Sequence, residues 1–170
     1  MTDTANETLS AAEYREKHGR GTQPTLDGMG APADEYDQAL AIDPGADTGV
    51  AWTNGDAVET RTTDFWTLIR RFGPANPAST VVILEAPYLS RQSMGRKPAI
   101  AYNSGAVARE AELLRDRIEW KGYPLIEHDP SQQGSKWDRD LAKQVVGGWE
   151  GPDNEHCRDA LRLLFFYNFL

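Results

Sequence analysis

The dipeptide Asn54-Gly55 limits the fold of this chain more than any other feature, because it carries the turn chemistry of a β-hairpin. The run before it, TGVAWT, and the run after it, AVETRTT, both have the composition of strands. A third apolar run, ALAID, comes earlier and stops at Asp43, directly before Pro44-Gly45. The sequence therefore predicts three antiparallel strands in a meander, beginning at about residue 38.

The remainder of the chain alternates helices with short apolar strands. DFWTLIRRF is predicted as a helix capped by Thr63 or Asp64, and STVVILE as a buried strand ending in Glu85. A long helix is expected from about Ser104 to Trp120, with inner positions Ala108, Ala111, Leu113 and Leu114. A fifth strand in YPLIEH and helices in SKWDRDLAKQVVGG and NEHCRDALRLLFFYNFL complete the element order βββαβαβαα.

Composition divides the chain into a polar extension and one domain. Residues 1–37 hold eight acids and three Lys or Arg, a net charge of −5, and are predicted to be a flexible acidic extension. Residues 38–170 hold 18 acids and 15 Lys or Arg, a net of −3, which metal binding by several acids would bring near neutrality. The overall charge of −8 therefore does not exclude a DNA partner.

The compartment and the partners have simple expectations. The N-terminus lacks the pattern of a signal peptide, and the chain has no apolar run of membrane-spanning length. A single cysteine, Cys157, excludes an intrachain disulfide framework and suits a reducing compartment. A cytoplasmic protein with neither a membrane partner nor an organic cofactor is expected.

Acids at the ends of separate elements indicate a metal site. Asp43 and Glu85 end apolar strands, where a buried carboxylate is costly unless it is compensated. Asp159 lies on the last helix, with His156 three residues before it and on the same side. Hard oxygen ligands suit Mg²⁺ or Mn²⁺, and two such ions about 3.5–4 Å apart can hydrolyse a phosphodiester.

Each of these residues also has a purely structural interpretation. An Asp before Pro-Gly forms turns, a Glu after VVIL can simply end a strand, and His-x-x-Asp at a helix start can be a cap. Asp47, inside the turn after Asp43, is interpreted as a surface turn residue or an outer metal ligand. The conjunction of the acids with the element order favours the metal site.

The segments AIDPGADTGVAW, VVILEAPY and HCRDALRLL resemble the three motifs of RuvC-like Holliday-junction resolvases, in the ribonuclease H-like superfamily. The resemblance covers about residues 39–168, and the short chain is most similar in style to phage-encoded members. It implies an α/β fold with a five-stranded mixed sheet in the order 3-2-1-4-5 and helices on both faces. The turn between DPG and TG is one residue shorter than in bacterial members.

The resemblance also implies a function and a set of site residues. It implies a homodimeric endonuclease that cuts four-way DNA junctions in recombination and repair with Mg²⁺ or Mn²⁺, two ions per site. Its catalytic metal ligands would be Asp43, Glu85, His156 and Asp159. Its DNA contacts would be Tyr88, Arg91, Arg96, Lys97 and Lys136, with Tyr88 stacking on a base and Gly105 where the long helix begins.

Other functions remain open at this point. A ribonuclease H-like nuclease acting on flaps, forks or RNA would carry the same motifs, and so would a catalytically silent DNA-binding module. A sugar-kinase or actin-like ATPase also reads IDxG before a hairpin, but it needs two such domains and a far longer chain. The preferred cleavage sequence and the role of residues 1–37 are not predicted.

Overall fold

The computed structural model describes residues 36–71, 77–89, 98–132, 135–147, 149–152 and 154–170. The extension predicted for residues 1–37 thus lies almost entirely outside the described residues and stays a prediction. The strands are β1 (Gln38–Asp43), β2 (Thr48–Thr53), β3 (Val58–Thr63), β4 (Thr80–Glu85) and β5 (Leu125–His128). The helices are α1 (Phe65–Arg71), α2 (Pro98–Trp120), α3 (Arg139–Val145) and α4 (Glu155–Phe166), and a 3-10 turn spans Pro130–Gln132.

The five strands form one mixed sheet in the order β3-β2-β1-β4-β5. β1 pairs antiparallel with β2, and β2 with β3, with a hairpin connection from Asn54 to Ala57 in which Gly55 has a positive φ of 88°. β4 lies parallel to both β1 and β5. This topology confirms the predicted fold class and element order.

Helices cover both faces of the sheet, because alternate residues of each strand point to opposite sides. On one face, Ala39 and Ala41 of β1 pack in a cluster with Leu161 and Leu164 of α4. On the other face, Ile42 and Leu84 pack with residues of α1 and α2, including Phe65, Leu114 and Ile118. The site described below lies at the carboxyl ends of β1 and β4, on the face that α4 covers.

Capping side chains set where the shorter helices begin. The Asp64 carboxylate accepts the Thr67 N–H at 2.9 Å, so Asp64 caps α1, as one of the two predicted alternatives. Asp138 accepts the Leu141 N–H at 2.8 Å, so α3 begins at Arg139, later than the SKWD start suggested. Asn154 caps α4 in the same way, by accepting the His156 N–H at 2.8 Å.

The long helix differs from its prediction at two points. α2 begins at Pro98 and not near Ser104, so Gly105 lies inside the helix and not at its start. A Cβ on Gly105 would meet nothing within 4 Å, so close approach does not explain this glycine in the described structure. Leu113 is 36% exposed, which makes its predicted inner position wrong, because the inner face of α2 follows Ala111, Leu114 and Ile118 at helical spacing.

Gly49 on β2 allows α4 to lie directly on the sheet. A Cβ at this position would come within 2.1 Å of the backbone carbonyl carbon and oxygen of His156. Because both partners are backbone atoms, neither can turn aside as a flexible side chain would. The TG of the DPG…TG pattern thus has a packing role.

We expect Gly49→Ala to lower the free energy of unfolding by about 1–3 kcal/mol, the usual cost of forcing extra atoms into a packed interior. Gly105→Ala is the matched control, since it adds the same methyl group in open space within a helix. That control should stabilise the chain by up to about 1 kcal/mol. Urea denaturation of both variants is the measurement, and equal stability of Gly49→Ala and wild type would contradict the packing role.

Candidate functional site

Two acids lie side by side at the carboxyl ends of β1 and β4. β1 and β4 are parallel and pair Ile42 with Leu84, so the next residue on each strand, Asp43 and Glu85, occupies the same end. Asp43 is 5% exposed, whereas Glu85 is half-buried. The strand pairing therefore brings together the two strand-end acids that the sequence singled out.

Helix α4 places His156 next to the end of β1. α4 crosses β1 and β2, and its first turn brings the His156 Nδ1 atom to 2.7 Å from the Asp43 Oδ2 atom. The two residues are 113 positions apart in the chain. Gly45 makes room for the imidazole, because a Cβ there would lie 2.6 Å from His156 Cε1. The Asp-Pro-Gly turn thus receives the histidine ring.

Folding raises the pKa of both members of the Asp43–His156 pair. Burial raises the pKa of Asp43 from its ordinary value, against the opposing effect of the hydrogen bond to His156. The same hydrogen bond to Asp43 raises the pKa of His156. Both shifts favour the protonated form of their group, and the two groups titrate as a coupled pair.

Asp159 lies one turn further along α4 and is 7% exposed. Its Oδ1 atom accepts a hydrogen bond of 2.9 Å from Nη1 of Arg162, which is buried as well. Its Oδ2 atom lies 3.4 Å from the Lys136 ammonium, which is also 3.3 Å from Glu155 Oε2. The charges of Asp159 and Lys136 both act on the pKa of Asp43, which places them in one electrostatic environment with it.

Arg162 is the residue that the sequence interpretation missed. It follows Asp159 by three positions, the spacing at which helical side chains meet, and this spacing was the available signal. Lys136 was predicted as a DNA contact, and in the structure it lies against Asp159 and Glu155. The acids of the site therefore have two cationic neighbours.

The donor set has the chemistry of a site for a hard divalent cation. Mg²⁺ and Mn²⁺ favour carboxylate and imidazole ligands, and β1, β4 and α4 each supply such a residue. As the side chains stand, no three His, Cys, Asp or Glu residues in the described ranges form a metal-binding group. Asp159 instead faces two cations, and His156 directs Nδ1 at Asp43.

Of the predicted DNA contacts, Tyr88 and Lys136 lie within the described residues. Tyr88 is half-buried, and its hydroxyl donates a hydrogen bond to Glu127 Oε1. The Arg115 guanidinium lies 5.6 Å from the centre of the Tyr88 ring. Arg91, Arg96 and Lys97 lie outside the described residues. Asp47 is exposed in the turn after β1, as expected of a surface turn residue.

The chain is similar in fold to a protein of known structure. No protein-family model matches the chain, and no curated protein matches its sequence. The fold is similar to the structure of T. thermophilus RuvC in complex with a Holliday junction substrate, with 18% sequence identity and a TM-score of 0.48. The likeness covers 79% of this chain and 94% of that chain. Identity at this level concerns the fold and not the activity.

No helix in the described ranges combines the length and the apolar character that crossing a bilayer requires.

Proposed function

We propose that this chain is a metal-dependent, structure-selective endonuclease that cuts four-way DNA junctions. The observation that carries the proposal is the contact of Asp43 with His156 at the end of β1, where Glu85 ends the neighbouring strand β4 and Asp159 follows His156 by three positions on α4. Three acids and an imidazole from separate parts of the chain are more than a turn, a strand end or a helix cap requires. The three sequence motifs that resemble those of junction resolvases contain these same residues.

The four residues would hold Mg²⁺ or Mn²⁺, with two ions in each site. When bound, such ions would supply the activation of a water and the stabilisation of the leaving oxygen in phosphodiester hydrolysis, which would leave 5′-phosphate and 3′-hydroxyl ends. The Asp43 carboxylate lies in a buried position at the strand end, where interactions with charge are stronger than in water. His156 holds or accepts a proton at Nδ1, opposite Asp43.

The DNA backbone would meet the basic residues around this edge. Lys136 is exposed next to Asp159, so its ammonium can reach a phosphate that approaches the acids. Arg91, Arg96 and Lys97 are proposed to contact phosphates further from the site. Pairing of two sites on one junction would need a second copy of the chain. Leu113 and Trp120 suit such a contact, because they are exposed and lie seven positions apart on one face of α2.

The function is tested with a panel of labelled substrates in Mg²⁺ or Mn²⁺: a four-way junction, a flap, a fork, a plain duplex and an RNA–DNA hybrid. We expect paired, symmetric nicks in the junction and little cutting of the plain duplex. Cutting restricted to flaps, forks or hybrid would move the proposal to a different ribonuclease H-like nuclease. Junction binding with no cutting of any substrate would indicate a catalytically silent DNA-binding module.

Tyr88 is expected to act through its ring. Tyr88→Ala should weaken junction binding by about 5- to 150-fold, because stacking of a base on an aromatic ring contributes roughly 1–3 kcal/mol. Tyr88→Phe keeps the ring and removes only the hydrogen bond to Glu127, so its affinity should stay within about threefold of wild type. Fluorescence anisotropy with a labelled junction measures both. Equal losses in the two variants would assign the effect to the hydroxyl and not to stacking.

A further inference from the structure

The two oxygens of the Asp159 carboxylate have cationic partners, one buried and one exposed. Oδ1 accepts a hydrogen bond of 2.9 Å from Arg162, and the exposed fractions of the two side chains are 9% for Asp159 and 7% for Arg162. Oδ2 lies 3.4 Å from Nζ of Lys136, whose side chain is 68% exposed. One carboxylate is therefore paired on its inner side with a buried guanidinium and on its outer side with a solvated ammonium.

Arg162 is held next to Asp159 because both side chains are buried. A buried guanidinium is very costly to leave without a counter-charge, so the Arg162–Asp159 pair cannot separate without a large penalty. The two residues also lie three positions apart on α4, so the backbone itself holds them in register. Oδ1 thus has a permanent partner inside the protein.

The Lys136 partner is weakly held. Its ammonium is divided between Asp159 at 3.4 Å and Glu155 at 3.3 Å, and Glu155 is itself exposed. Ion pairs of exposed side chains contribute little, because water screens them and ordering a long side chain costs entropy. Oδ2 can therefore exchange this partner at small cost, because the partner is a solvated side chain.

We propose that Arg162 is a positioning residue that fixes Asp159 through Oδ1, and that Lys136 is an exchangeable counter-ion on Oδ2. In the chain without a bound divalent cation, Lys136 neutralises the outer oxygen. When a cation binds there, the ammonium moves away and becomes available to a DNA phosphate. This inference rests on the proposed function, since it takes Asp159 to be a metal ligand through Oδ2.

The two cations can be distinguished by the direction of their effects on metal affinity. If both acted only through positive charge, removing either one would tighten cation binding. If Arg162 fixes the carboxylate, its loss must weaken binding in spite of the lost repulsion. Outer partners that orient metal ligands typically contribute about 10- to 100-fold in affinity.

Isothermal titration of Mn²⁺ into the full chain tests this distinction. Lys136→Met should bind Mn²⁺ about two- to fivefold more tightly, roughly the effect of one exposed ion pair. Arg162→Met should bind it about 10- to 100-fold more weakly. Asp159→Asn identifies the site and should also bind more weakly. Lys121→Met, which removes an exposed lysine just after α2, should match wild type.

Two further measurements test the same inference independently. Arg162→Lys keeps the charge but loses the planar guanidinium, so it should bind Mn²⁺ more weakly than wild type, and it serves if Arg162→Met does not fold. In NMR spectra, adding Mg²⁺ should shift the Lys136 ammonium signal and leave that of Lys121 in place. An unshifted Lys136 signal, or Arg162→Lys equal to wild type, would overturn the inference.

The outcomes separate this inference from the proposed function. Junction cutting by wild type, with Lys136→Met and Arg162→Met changing Mn²⁺ affinity in the same direction, would overturn the inference and leave the function. Opposite changes without cutting of any DNA would support the inference and overturn the function. Unaltered Mn²⁺ binding in Asp159→Asn would overturn the inference, because Asp159 would then not be a ligand.

Discussion

Asp43→Asn should reduce junction cutting about a thousandfold while the chain still binds the junction. The substitution keeps the size of the side chain and removes the charge that would hold a divalent cation. A loss of ~4 kcal/mol of transition-state stabilisation corresponds to this factor and is within what metal ions contribute to phosphodiester hydrolysis. Single-turnover nicking rates in saturating Mg²⁺ measure the effect, with anisotropy measuring binding.

The fold should survive this change. Burial raises the pKa of Asp43, so the folded chain disfavours its ionised form, and the stability it contributes falls as the pH rises through the folded-state pKa. A neutral asparagine therefore should not lower the melting temperature at neutral pH. Asp47→Asn is the matched control, because it makes the same chemical change at an exposed position in the same turn. A similar rate loss in Asp47→Asn, or near-normal cutting by Asp43→Asn, would contradict the assignment of Asp43.

Acid should destabilise the chain through His128, by roughly 3 kcal/mol between pH 7 and pH 4. This residue ends β5 and is fully buried, and its pKa is lowered from 6.5 to about 4 by burial and then by the charge of Arg162, against a smaller opposing effect of Asp129. Below pH 6.5 His128 binds a proton in the unfolded chain, whereas in the folded chain it binds one only near pH 4. Stability therefore falls as the pH falls through this window.

The groups around His128 explain why it stays neutral. Its Nδ1 atom is 3.1 Å from the Tyr167 hydroxyl, and the Phe166 ring packs against it with centres 4.9 Å apart. Its strand neighbour is Glu85 of β4, and in the described part of the chain nothing hydrogen-bonds to its Nε2 atom. A charged imidazole would thus be poorly compensated in this position.

Urea denaturation at several pH values compares wild type with His128→Gln, which cannot titrate in this range. The variant will have a lower stability at pH 7, but its loss between pH 7 and pH 4 should be smaller by roughly 3 kcal/mol. Other groups contribute equally to both chains, so the difference isolates His128. Parallel pH dependences would mean that the pKa of His128 is the same in the folded and the unfolded chain, which would contradict the burial effect.

Local chemistry made most of the fold predictable from the sequence. Alternating apolar runs, the Asn54-Gly55 turn and the capping acids act over a few residues, and the strands and the element order were predicted correctly from them. The order of the strands in the sheet was predicted from the family resemblance of the three motifs. Asp43 and Glu85 could be predicted for the same reason, because the end of a strand can be recognised in the sequence. Their metal-binding role stays a prediction.

The remaining features depend on packing, which a local pattern does not encode. Arg162 looks like a solvated helix residue, yet α4 is covered on most of its surface, so the guanidinium is buried against Asp159. Leu113 fits a helical apolar pattern, but it lies beside the inner face of α2 and not on it. The pairing of Lys136 with α4 joins a loop residue before α3 to residues of α4, and it follows only from the tertiary structure.

The contact between Asp43 and His156 bears on which forms of the chain could cut DNA. It joins the first strand to the last helix of the described fold, so the sheet alone presents Asp43 and Glu85 without His156 and Asp159. Under the proposed function, a nascent, misfolded or partly degraded chain that lacks docked α4 holds only half of the site. Such fragments would leave the genome uncut, and the capacity to break DNA would be confined to intact molecules.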